Sequence, residues 1–145
     1  MDDRKLKAAR QFIEAIPHSR ALGMVLDTLE DGVAVISMPY DARFVGDPQT
    51  GVIHGGAVSA LMDSCSGAAV MSHPTGVIGT ATIDLRIDYM RPARPGDRIT
   101  ARAECYHVTR AVAFVRATAH DADTDRPVAT ATGAFTLERA KEARA

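Results

Sequence analysis

The stretch GGAVSALMDSCSGAAVMS, residues 55 to 72, holds a single charged side chain, Asp63. It reads as one long helix, stopped by His73-Pro74-Thr75-Gly76. A helix with hardly a charge has no face suited to water and has to be covered nearly all round. After it the period of the sequence changes from helical to 2. In TATIDLRIDYM, Ala81, Ile83, Leu85, Ile87 and Tyr89 share one face, with Thr82, Asp84, Arg86 and Asp88 on the other. Wrapping one curved antiparallel sheet around the helix satisfies the constraint with a single pair of layers.

The remaining segments supply such a sheet. Residues 3 to about 16 carry Leu6, Ala9, Ile13 and Ile16 at helical spacing and end at Pro17, which predicts a short N-terminal helix. Met24 to Glu30 and Gly32 to Pro39 read as strands joined by a turn at Glu30-Asp31-Gly32. A loop is expected from Tyr40 to Ile53. Beyond the turn at Pro95-Gly96-Asp97 come three more strand-like runs: Arg98 to Val108, Ala111 to His120 and Pro127 to Glu138. The ending LERAKEARA reads as a solvated, frayed tail. The expectation is therefore an α+β fold with about six strands, all of residues 1–145 forming one domain whose core runs from about 12 to 138.

At 145 residues the chain can bury a real core. A formal net charge of -1 argues against nucleic acid or an anionic membrane surface as the main partner. The N-terminus is charged and amphipathic rather than signal-like, and the longest nearly uncharged run is broken by Asp63, so no membrane span is expected. Cys65 and Cys105 lack metal-ligand spacing and read as buried thiols. A cytoplasmic location is expected, and no metal site is read from the five histidines.

The helix start carries the chemistry. Gly55 and Gly56 leave backbone N–H groups with no side chain in front of them, at the positive end of the helix dipole. Such an end suits a developing oxyanion, though close packing would equally explain two glycines. A lone carboxylate at Asp63 costs several kcal/mol to bury unless it is paired or hydrogen-bonded. Strand hydroxyls or an arginine would satisfy it, and so would work as a general base or nucleophile. Gly55 and Asp63 stand eight residues apart, about 12 Å along a helix. Two groups that far apart cannot act on one carbonyl within one chain, so a site using both needs at least a homodimer. His54 either faces the substrate carbonyl or caps and packs beside the helix.

The run HGGAVSALMD, with its acid nine residues after the histidine, resembles the hot-dog-fold acyl-CoA thioesterases. The resemblance is strongest to the branch typified by the phenylacetate-pathway (PaaI-like) enzymes, and the element order matches from about Phe12 to Glu138. It implies a homodimer with shared active sites, often a homotetramer. It implies that the Gly55 N–H polarises a thioester carbonyl while Asp63 of the other chain activates water or attacks directly, with Thr82 orienting the water. Gly56 is implied beside the substrate. Many members carry Asn or Gln in the loop before HGG; here VGDPQTGVIHGG offers Asp47 or Gln49 instead. Coenzyme A, part of the substrate rather than a cofactor, needs phosphate partners, and Arg91, Arg94 and Arg110 are candidates. No metal or redox cofactor is expected.

Two other readings stay open. A hydratase or dehydratase of acyl thioesters shares the fold but pairs its acid with an active histidine in a different arrangement. An acyl-CoA sensor would bind without turnover; with one short helix before the first strand, an enzyme is favoured over it.

Overall fold

The computed structural model describes residues 3–140. The elements in chain order are α1 (Asp3–Ala15), α2 (Pro17–Ala21), β1 (Val25–Glu30), β2 (Val33–Met38), a 3-10 turn (Ala42–Phe44), β3 (Val45–Asp47) and β4 (Val52–Ile53). Then come α3 (Gly55–Met71), β5 (Val77–Gly79), β6 (Thr82–Tyr89), β7 (Ile99–Val108), β8 (Val112–His120), β9 (Ala129–Thr136) and β10 (Glu138–Arg139).

Six strands form one antiparallel sheet in the order β1-β2-β7-β8-β9-β6, with α3 lying against it. This is the expected hot-dog architecture, a sheet wrapped on one long helix. Alanine makes the wrap close. The inward positions of the central strands include Ala101, Ala103, Ala117, Ala119, Ala129 and Ala131, all buried. Such short side chains let the larger Leu61, Met62, Cys65 and Val70 of α3 come down onto the sheet.

Four expectations are corrected, and one element is added. α1 stops at Ala15, just before Pro17 as expected, but Pro17 also opens α2, a second short helix, because proline needs no N–H at the first helical position. Ile16 before it is extended (φ -68°, ψ 119°), as the residue preceding proline prefers. The expected loop contains the β3–β4 hairpin, and Glu138 and Arg139 of the supposedly frayed tail pair with β5; residues 141–145 lie outside those described. The helix is also not covered all round. Ala57, Val58, Leu61, Met62, Cys65, Ser66, Ala69 and Val70 are buried, while Ser59, Ala60, Asp63, Ser64, Gly67 and Ala68 are only half-buried. The fourth correction concerns β6 and bears on the site.

Candidate active site

The entrance to α3 is built by the β3–β4 hairpin. Asp47 closes its turn: its carboxylate accepts from the Gln49 N–H (3.0 Å) and the Thr50 hydroxyl (2.8 Å), and its carbonyl from the Gly51 N–H. Those bonds hold the Asp47 carboxyl below its ordinary pKa, the Thr50 hydroxyl first among them. The hairpin delivers His54, whose N–H bonds the Phe44 carbonyl at 2.8 Å. Gly46 lies flat against it, since a Cβ there would sit 2.8 Å from His54 Cα. His54 is the N-cap of α3, with Nδ1 accepting from the Gly56 N–H at 2.8 Å. That bond places the ring proton on Nε2.

Of the two expected open amides, the Gly56 N–H is therefore engaged by the cap. Gly56 is bare for a local reason, because a Cβ would fall 2.9 Å from Nδ1. The Gly55 N–H has no acceptor among the described residues. The Gly55 carbonyl lies 2.9 Å from the Ser59 hydroxyl and 2.8 Å from the Tyr89 hydroxyl, and these two hydroxyls are also in contact with each other, so two protons are shared among three hydrogen-bonding contacts. Gly55 borders a cavity of about 440 Å³ together with Tyr89, Met90 and Pro92.

Asp63 meets β6. Its Oδ1 accepts from the Thr82 hydroxyl at 2.8 Å, its one partner among the described residues. Strict alternation would put Thr82 on the face opposite Leu85 and Ile87. A bulge between Thr82 and Asp84 changes the phase: Thr82 pairs with Phe135, Asp84 with Ala134, and Ile83 has no partner. Thr82 thereby turns to α3, and Ile83, expected inside, is 55% exposed. Asp84 Oδ1 takes the Ala134 N–H at 2.9 Å. Gly133 makes room, since a Cβ there would sit 2.6 Å from the Asp84 carbonyl oxygen. The same edge strand thus touches α3 twice, Thr82 at Asp63 and Tyr89 at Gly55. Continuous helix separates the two points, so the 12 Å argument stands.

The three arginines are not brought together. Arg91 is withdrawn from the phosphate candidates because its guanidinium forks onto Asp121, with two bonds of 2.7 Å, and donates to the Arg126 carbonyl at 2.8 Å. Asp121 is 5% exposed and also accepts the Arg94 and Asp123 N–H groups. The Arg91 guanidinium holds the Asp121 carboxyl far below the usual carboxylate range. The Arg94 and Arg110 side chains are exposed at opposite ends of the sheet, Arg94 before β7 and Arg110 after it. Gln49 is exposed on the hairpin turn.

Sequence reasoning missed Ser59, Tyr89, Gly46 and Asp121. A serine four residues after Gly55 and a tyrosine ending a strand are weak signals, and the Arg91–Asp121 pair spans 30 residues. Among the described residues, no three His, Cys, Asp or Glu side chains converge as a metal site, and no helix is long and apolar enough to cross a membrane.

A bare helix end with a free N–H, on the same helix as a half-buried carboxylate, is an arrangement suited to acyl transfer. Residues 50–128 match the family model described as the thioesterase superfamily, and the chain belongs to that family. The medium/long-chain acyl-CoA thioesterase YigI of Escherichia coli (strain K12) is 31% identical over 123 residues, 76% of this chain and 79% of that protein. The acyl-coenzyme A thioesterase PaaI of the same organism is 30% identical over 89 residues, 61% of this chain and 60% of that one. A crystal structure of a Pseudomonas aeruginosa protein superposes with a TM-score of 0.79 at 37% identity, covering 90% of this chain and 97% of the other.

Proposed function

We propose that the chain hydrolyses acyl-CoA thioesters to a free carboxylic acid and CoA, in a site shared by two copies. The Gly55 N–H of one protomer, at the positive end of α3, stabilises charge developing on the thioester oxygen. Asp63 of the other removes a proton from the attacking water, or attacks directly, and its Thr82 fixes that carboxylate and aligns the water. CoA leaves as the thiol.

The observation that carries this reading is the Asp63–Thr82 pair. A half-buried carboxylate receives one hydroxyl and keeps its other oxygen open, where a purely structural acid would be fully partnered. Two features favour a second copy. β6 is an edge strand of eight residues with Ile83 and Tyr89 half-exposed and Met90 just beyond it, a template for another β6. Antiparallel pairing of two β6 strands would also bring the Arg94 end of one chain beside the Arg110 end of the next, leaving two exposed arginines available to the CoA phosphates. The hydratase reading loses ground because His54 Nδ1 is occupied by the helix cap and cannot accept a substrate proton.

The experiment is release of CoA thiol from a panel of acyl-CoAs by wild type and Asp63→Asn. The variant is nearly isosteric, and turnover is expected to fall at least a hundredfold with folding intact, on the scale of removing a general base. Mixed dimers of Asp63→Asn with a Gly55→Val chain recover part of the activity if the two groups act across the interface. Undiminished turnover in Asp63→Asn would refute the mechanism; absence of recovery in verified mixed dimers would refute the shared site.

A further inference from the structure

The half-buried face of α3 is roofed by α1 and β5, and between the three lies a cavity of about 490 Å³. Phe12 and Ile13 come from α1, Gly67, Ala68 and Met71 from α3, and Ile78 from β5. The roof is fixed in place: Arg10 of α1 donates to the Leu26 carbonyl at 2.8 Å and the Asp27 carbonyl at 3.1 Å on β1. Phe12 and Ile78, 68% and 61% exposed, mark the open side.

The cavity begins where the reacting groups end. Ser64 and Thr80 line it, and their near neighbours Asp63 and Thr82 form the carboxylate–hydroxyl pair. Gly67 lies one helical turn beyond Asp63 on the same face, about 6 Å further along the axis. The hydroxyls of Thr80 and Ser72 at its rim are already donated to the Thr136 and Ala69 carbonyls. The walls are mostly apolar, with the hydroxyls of Ser19, Ser64, Ser72 and Thr80 among them, and no charged side chain lines them. Such a cavity matches an alkyl chain, and it lies where an acyl group would lead away from a carbonyl held near Asp63.

We propose that this cavity is the acyl-chain pocket, that it takes aliphatic chains of medium length, and that Gly67 sets how deep they run. The proposal rests on the thioesterase reading above. Gly67 is the point of control because an ideal Cβ there meets nothing within 4 Å. A glycine in the middle of a helix costs stability relative to alanine, and no close packing within the chain accounts for it. Its bareness keeps the cavity floor low.

The test is kcat/KM by thiol release for acetyl-, butanoyl-, octanoyl- and phenylacetyl-CoA, in wild type, Gly67→Ala and Gly67→Leu. In wild type, kcat/KM rises by about fourfold for each methylene that the cavity takes up. Gly67→Ala removes room for about one carbon, lowering the octanoyl-to-acetyl ratio about fourfold; Gly67→Leu lowers it on the order of fiftyfold. Both side chains enter open space, so melting temperatures equal to or above wild type certify the fold. A ratio that Gly67→Leu leaves unaltered, or a wild type that prefers phenylacetyl-CoA over every aliphatic chain, overturns the pocket while leaving thioesterase activity standing. Failure of every thioester to release thiol overturns the thioesterase reading, and the pocket with it.

Discussion

Asp121→Asn tests the pair that holds the end of β6. The Asp121 carboxylate receives four donors, two from the Arg91 guanidinium at 2.7 Å and the N–H groups of Arg94 and Asp123 at 3.0 Å. Asparagine keeps the shape, but it removes the charge and turns an NH2 toward groups that only donate. Removing one partner of a buried pair costs about 3–5 kcal/mol. Arg91 retains the Arg126 carbonyl and its side chain is 19% exposed, so the low end applies. About 3 kcal/mol corresponds to a loss of roughly 10 °C in Tm for a chain of this size. The pH dependence has a definite sign. The folded carboxyl titrates below its ordinary 3.8 because Arg91 favours the charged form, so its stabilisation is complete above that value and is lost as pH falls through the folded value. Urea unfolding at fixed protein concentration should show a constant gap between wild type and variant from pH 7 to 5, narrowing only below about pH 4. A gap under about 1 kcal/mol at neutral pH, or one already closing between pH 7 and 5, would refute the account of this pair.

Three other substitutions or reactions have expected outcomes. Gly133→Ala drives a Cβ to 2.6 Å from the Asp84 carbonyl oxygen, a backbone atom that cannot turn aside; it should cost about 1–3 kcal/mol in urea unfolding and lower thiol release by displacing Thr82. Tyr89→Phe removes a hydroxyl from the Gly55 carbonyl and should lower kcat about tenfold with little change in KM, the mark of misaligned geometry in steady-state kinetics. Burial pushes the Cys65 thiol up to about 12 and raises Cys105 as well. Native protein should therefore react negligibly with a disulfide reagent at pH 8, and both thiols should appear on denaturation.

What could be read from the sequence was whatever a missing charge or a steady period announces. One carboxylate in eighteen residues singled out α3 and Asp63, the period of 2 located β6, and turn signals marked off the other strand-like runs of the main sheet. Counting in twos failed at β6, because a bulge is one surplus residue with no signature of its own. The same alternation that placed Leu85 and Ile87 correctly turned Ile83 inward and Thr82 outward. The resemblance pointed to Thr82 even so, and the bulge explains how that hydroxyl reaches Asp63. Arg91 looked like a phosphate ligand because its partner is 30 residues away, and distant pairing leaves no local trace. Gly56 looked like an open amide because nothing in HGG tells which of its two N–H groups the histidine will take.

The double attachment of α3 to β6 has a consequence for how the protein behaves at low abundance. One edge strand steadies the Asp63 carboxylate with Thr82 and the Gly55 carbonyl with Tyr89, and its outer side is unpaired among the described residues. If two copies join there, separating them frays the strand on which both halves of the proposed site depend. Specific activity would then fall on dilution well before any loss of helical signal, making catalysis itself a gauge of how crowded the protein is.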